Sequence, residues 1–321
     1  MGKEMKAVSE FDDILKKQKK AEKKERFKND FPLYLMMLPG MIYLVCNNYM
    51  PMFGIMLAFK KFNVQKGILG SDWVGFGNFE YLFKTKDAFI MIRNTVLYNL
   101  CWIIIDLVVA VFIALCMNEI AKRKVAKIIQ PVICFPSMVS AVILSYLVYA
   151  FLSASYGYFN ATIFADNPVS WYTEAAYWPF ILTVVHLWQN AGQSSIIYMA
   201  SIGGIDKGLY ESARIDGATK WEQIKYITLP LLKPMITMML LLSVGRIFNS
   251  DFGLFYQVPL GNGMLYNTTQ TIDTYVYRAL MVNNNVSMSS AAGVFQAVIG
   301  FALVFLSNMF VRKVNPENSL F

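Results

Sequence analysis

The chain has 321 residues, carries a net charge of +8 and is 56% hydrophobic with only 16% charged residues, at a mean hydropathy of +0.42. That is too little charge to clothe two or three water-soluble domains, so lipid is the expected solvent. The positive balance reads as membrane topology and attraction to anionic head groups, with nucleic acid excluded as the favoured partner.

Taken in chain order, residues 1–30 hold ten Lys and Arg and read as a solvated cytoplasmic segment, too charged for a secretory signal. Uncharged stretches then cover 31–59, 128–165, 175–205 and 279–311, and two further apolar runs carry one charge each, Asp106 within 94–118 and Arg246 within 234–250. A helix crosses a bilayer in about 17–25 residues, so the expected spans are 31–59, 94–118, 128–152, 178–202, 234–250 and 290–311. Backbone polar groups inside hydrocarbon pair only in helices or closed barrels, and the alternation of a barrel is absent. An all-α membrane protein of six transmembrane helices follows, with Pro39, Pro51 and Pro131 expected to kink their spans.

Basic residues set the orientation. The 1–30 segment, the second connection (Lys122, Arg123, Lys124, Lys127), the fourth (Lys207, Arg214, Lys220, Lys225, Lys233) and the tail (Arg312, Lys313) should be cytoplasmic. The first loop, with Lys60, Lys61, Lys66, Lys84 and Lys86, runs against that rule and is outvoted. Residues 314–321 form the cytoplasmic C-terminal tail.

The chemistry of catalysis is missing. No phosphate-binding G-x-x-x-x-G-K-[ST], no H-E-x-x-H and no G-x-S-x-G occurs, and His186 is the single histidine. Neither catalytic residues nor a metal site are expected. His186 reads as an interhelical hydrogen-bond partner, Asp106 as a structural group paired with an Asn or Arg elsewhere, and Cys46, Cys101, Cys116 and Cys134, which lack C-x-x-C spacing, as buried thiols.

Between the fourth and fifth spans stands "YESARIDGATKWEQIKYITLP". A helix over 206–220 would gather Ser212, Ala213, Asp216 and Gly217 on one small-residue face. An amphipathic helix lying on lipid explains Lys220, Trp221 and Lys225 but not the small face or Glu211 and Asp216. A helix seated in a groove of another protein explains both.

Glu211, Ala213, Asp216, Gly217, Ala218, Ile227, Leu229 and Pro230 resemble the EAA signature of the membrane subunits of binding-protein-dependent ABC importers, with Ser212 in place of the usual second Ala. The resemblance implies a type I importer permease fold whose coupling helix docks a separate cytoplasmic ATPase through Glu211, Ser212, Ala213, Asp216, Gly217 and Ala218. It also implies a second, homologous permease subunit, an ATPase dimer that holds ATP and Mg while this chain holds no cofactor, an extracellular solute-binding protein, and a bacterial cytoplasmic membrane.

"LPGMIYLVCNNYMPMFGIMLAFKKFN", "KGILGSDWVGFGNFEYLF", "TQTIDTYVYRALM" and "SMSSAAGVFQAVIGFALVFLSNMFVRKVNPENSLF" are similar to the carbohydrate-uptake permeases of that family, those for complex oligosaccharides in particular. A sugar path needs hydrogen-bonding groups facing a wet cavity within the membrane. Trp188, Gln189, Asn190 and Gln193 in the fourth span and Arg246 and Asn249 in the fifth supply them, against an equal reading as interhelical bonds. Trp73, Phe76 and Phe79 fit either an interfacial belt or binding-protein docking, and the small residues 289–293 fit tight helix packing. A permease for a non-sugar solute is the alternative. An ion-coupled secondary transporter would call for internal repeats and more intramembrane carboxylates, and a membrane enzyme for an acid-base or metal cluster.

Overall fold

The apolar runs are helical in the computed structural model, which describes residues 30–120 and 123–314. The basic leader before residue 30 and the tail after 314 lie outside the described residues. The chain divides into two units between Met56 and Leu57. The first is nearly all of α1 (Asp30–Phe59), a helix that widens to a π-turn at Val45–Tyr49 and narrows to a 3-10 stretch at Met50–Phe59. Pro51 sits in that narrowed stretch, whereas Pro39 lies in unbroken α-helix.

The second unit opens with a small ribbon in which β1 (Lys60–Lys61) pairs antiparallel with β2 (Asp72–Trp73). Much of the first loop's excess of lysine is committed here. The buried Lys60 ammonium donates to the carbonyls of Ile68 and Leu69, Lys66 pairs with Asp72 at 2.8 Å, and Lys84 pairs with Glu80 at 2.6 Å on α2 (Gly77–Lys84). The Lys66 bond holds the Asp72 carboxyl below the usual carboxylate range. Phe59 stacks on Trp73 (5.9 Å) and meets Phe76 edge-on (5.4 Å), leaving Trp73 and Phe76 largely exposed.

The long α3 (Lys86–Glu119) starts two turns before the expected span, where Thr85 caps it by accepting from the Ala88 amide. The run 128–152 is not one straight span. Residues Val125–Met138, which include most of α4 (Arg123–Cys134), meet α5 (Ala141–Leu152) at 94°. Pro131 lies inside α4, and the bend falls later, where Pro136 sits in a 3-10 turn (Phe135–Met138) and Val139 and Ser140 are extended. A carbonyl freed in hydrocarbon needs a partner. Gln189 supplies it, donating from Nε2 to Val139 O at 3.2 Å.

Gln189 belongs to α6 (Trp178–Gly203), a 26-residue helix. At about 1.5 Å per residue that length crosses a bilayer, yet four other described helices are the ones apolar enough to qualify on composition, with the bent pair a fifth. The polar residues from His186 to Ser195 lower its hydropathy. α6 passes so close to α4 that a methyl on Gly192 would overlap the Ile133 carbonyl oxygen.

Beyond α6 come the short α7 (Lys207–Ile215), the span α8 (Lys220–Gly245), α9 (Ile272–Met281) and α10 (Val286–Val314). Ala291 and Ala292 are fully buried and Ser289 donates to Val276 O of α9 at 3.0 Å, so the small residues of α10 serve tight packing. One buried cluster joins Ala110, Ala114, Tyr198 and Leu232 of α3, α6 and α8, and another joins Trp102, Trp178 and Leu182 to Leu254 and Phe255. The structure overturns the expectation of buried thiols, leaving Cys46, Cys101 and Cys116 exposed and Cys134 half-buried.

Candidate functional site

The signature stretch is a helix stop followed at once by a helix start. α7 is capped at its beginning by Asp206, which accepts from the Gly208 amide at 2.9 Å. It ends at Ile215, earlier than the expected 220, because Gly217 adopts φ +85°. The Gly217 amide then donates to Arg214 O (3.1 Å) and the Ala218 amide to Ala213 O (2.8 Å), the paired bonds of a Schellman turn. Asp216 and Gly217 therefore sit in the cap, not on the helix face. Thr219 and Glu222 form a capping box that starts α8. Glu211, Ser212, Asp216 and Gly217 are exposed, Ala213 and Ala218 half-buried. Ile215, which the sequence reading passed over, is 87% exposed; the signal was an apolar residue isolated in a polar run.

The second feature is a polar cavity of about 400 Å³ among α3, α6 and α8. Asn99 and Asp106 on α3, His186, Asn190 and Ser194 on α6, and Met239 and Ser243 on α8 recur at one-turn or two-turn spacings and so face it together. Its remaining wall is the segment from Arg246 to Asp251. The expected fifth span was to contain Arg246 and Asn249, but α8 ends at Gly245 and both residues follow it.

That non-helical wall is held by side chains from three helices. Asn99 donates to Ile247 O and Asn249 O at 3.0 Å each. Gln296 donates to Phe248 O (2.9 Å) and Asn249 Oδ1 (3.0 Å). Asp273 accepts the Ser250 amide (2.6 Å) and hydroxyl (2.7 Å). Among the described residues the exposed Arg246 guanidinium has no direct hydrogen-bond or ion-pair partner, though the carboxylates of Asp106 and Asp251 line the same cavity.

Across the cavity His186 Nε2 lies 2.9 Å from Asp106 Oδ2, the interhelical role expected of His186, with histidine rather than Asn or Arg as the partner of Asp106. Asn190 Nδ2 lies 3.3 Å from His186 Nδ1, a donor that leaves the ring proton on Nε2 facing Asp106. The imidazole stacks on Trp102 at 3.9 Å. Asp106 Oδ1 is buried without a partner.

Residues 106–316 match the family model described as the binding-protein-dependent transport system inner membrane component. The chain belongs to this family. The permease is 34% identical over 306 residues, 95% of both chains, to the polygalacturonan/rhamnogalacturonan transport system permease protein YteP of Bacillus subtilis. It is 30% identical over 292 residues to protein LplB of the same species, covering 90% of this chain and 91% of that one. Among solved structures it superposes with TM-score 0.82 and 31% identity on a chain of a bacterial ABC transporter involved in the import of the acidic polysaccharide alginate, covering 91% of the permease and 98% of that chain. The alginate transporter in complex with an alginate pentasaccharide-bound periplasmic protein matches at TM-score 0.80 and 31% identity, over 90% and 97%.

Of the expected path residues, Asn190, Arg246 and Asn249 line the permease's cavity. Gln189 is spent on the α4–α5 bend, and Trp188 and Gln193 are exposed on α6 away from the cavity wall. Asn99, Asp106, His186, Asp273 and Gln296 were missed as parts of the site. Their signal was present only as polar residues in apolar runs, because their partners lie 23 to 150 positions away.

Proposed function

We propose that the permease forms half of the translocation path of an ATP-binding-cassette importer for oligosaccharides, and that the Glu211–Ala218 turn docks the ATPase. One observation carries the reading. α8 is a single run of 26 residues, about 39 Å long, with the capped turn at its start and Arg246 and the cavity at its end. A groove that moved the turn would move the cavity wall.

The cavity offers amides, hydroxyls, two carboxylates and a guanidinium, the set that replaces water around sugar hydroxyls. The unpaired Arg246 suits a carboxylate on the sugar, in keeping with the acidic saccharides in the names of the similar proteins. Gln193 is polar and exposed on a membrane helix, where it needs a partner; a second permease subunit would supply one and complete the path. In this reading a delivering protein docks outside, the termini and the capped turn face the cytoplasm, and this chain binds no nucleotide, ATP and Mg being held by its partner. The permease domain of this reading runs from 31 to 313.

Reconstitution with the second permease and the ATPase tests this. Binding protein loaded with an acidic oligosaccharide should stimulate ATP hydrolysis and uptake. Uptake driven by an ion gradient without nucleotide would overturn it.

A further inference from the structure

The covalent route from α7 to the body of α8 is pliant. After the Schellman turn it passes through one helical turn, then a π-turn at Ile224–Thr228, where the Leu229 amide reaches back to Ile224 O. Pro230 and Pro234 follow and lack an amide proton, so two rungs near the root of the helix are absent. A push on α7 delivered along this route alone would be absorbed as bending.

A second route bypasses the π-turn. Tyr210 Oη, on the middle of α7, lies 2.9 Å from Thr228 Oγ1, 18 positions on. Thr228 is 2% exposed and its hydroxyl lies 3.4 Å from Gln223 O. Because a hydroxyl has one proton, Thr228 donates to Gln223 O and the Tyr210 phenol donates to Thr228. Gln223, 4% exposed, donates from Nε2 to Ala218 O at 3.1 Å. The Ala218 amide is already closing the Schellman turn on Ala213 O. α7 is thereby fastened to the far side of the π-turn at its middle and to the start of α8 at its end. One joint would let the helix swivel; two pass on both displacement and rotation.

We propose that Tyr210, Gln223 and Thr228 are positioning residues, a hydrogen-bonded strap that delivers the motion of α7 to α8 across the π-turn. The strap rests on the reading of α7 as the element moved by the ATPase. It makes no contact with solute or nucleotide, and its loss uncouples hydrolysis from transport.

The test uses the assembled transporter in proteoliposomes, with Tyr210→Phe and Thr228→Val, each removing one hydroxyl with little change of shape, and Thr228→Ser, which keeps it. Solute moved per ATP hydrolysed is read together with retention of the ATPase. Both hydroxyl deletions should retain the ATPase and its basal rate while transport per ATP falls roughly three- to tenfold, the worth of one buried hydrogen bond. The double variant should fall no further than either single one, and Thr228→Ser should match the parent. An unchanged ratio in both deletions, losses that add in the double variant, or reduced assembly with a normal ratio in the assembled fraction would each overturn the strap. If the parent chain itself held no ATPase, the docking reading would fall, and the strap with it.

Discussion

Replacing Gly217 separates conformation from volume in the capped turn after α7. Its φ of +85° places it where a Cβ meets its own backbone, while an added Cβ would find no neighbouring atom within 4 Å. The penalty for Gly217→Ala is therefore purely conformational, about 1–2 kcal/mol, a factor of roughly 5–30 in the population of the turn. Nothing offsets it locally, since α7 has nine residues and none is buried. Asn is larger than Ala but tolerates the left-handed region. Gly217→Asn should thus keep most uptake, Gly217→Ala should lose much of it, and a β-branched Gly217→Val should abolish it. Amide exchange at Ala218, whose proton is held by Ala213 O, should quicken in the same order. If Gly217→Asn proved as damaging as Gly217→Val, or Gly217→Ala were silent in both assays, bulk in the groove or no constraint at all would replace the left-handed cap as the reason for glycine here.

Three further substitutions probe the cavity and its walls. Arg246→Ala should cut uptake while the ATPase stays associated, as measured by co-purification; loss of assembly instead would make Arg246 structural. Gly192→Ala should force α4 and α6 apart, costing about 1–3 kcal/mol, seen as a lower melting temperature of the purified protein; an unchanged melt would contradict the close approach at Ile133. His186→Leu leaves Asp106 without its partner and should destabilise by about 3 kcal/mol or somewhat less, because the cavity admits water. Asp106→Leu combined with His186→Leu should recover most of that loss in the same melting assay; a double variant no better than His186→Leu would mean that the pair's charge is not what matters.

The spans were legible because their causes are local: uncharged runs longer than a bilayer is thick announce helices. The turn after Ile215 has an equally local cause, since D-G-A followed by T-x-x-E makes a left-handed cap and a capping box within seven residues, but the expected helix over 206–220 ran straight through it. The positions of Asn190 and Arg246 at the cavity were legible as polar groups that hydrocarbon would not tolerate. The 94° bend was not, since Pro136 and Ser140 stand in a run apolar enough for a straight span and the partner that permits the break, Gln189, comes from another helix. Nor was the end of α8 at Gly245, because Ile247 and Phe248 continue the apolar pattern while Asn99, Asp273 and Gln296 hold the backbone out of helix. The first loop shows the converse. A count of lysines set it against the orientation rule, and the structure commits Lys60, Lys66 and Lys84 to carbonyls and carboxylates of the same loop.

The most direct measurement is site-specific cross-linking from cysteine placed at Ala213 or Ala218 in a membrane that contains the native neighbours. The docking account predicts a covalent adduct with the ATPase whose yield changes when nucleotide is added. Capture of phospholipid alone, with nucleotide making no difference, would contradict it and return α7 to the role of a helix resting on the membrane surface.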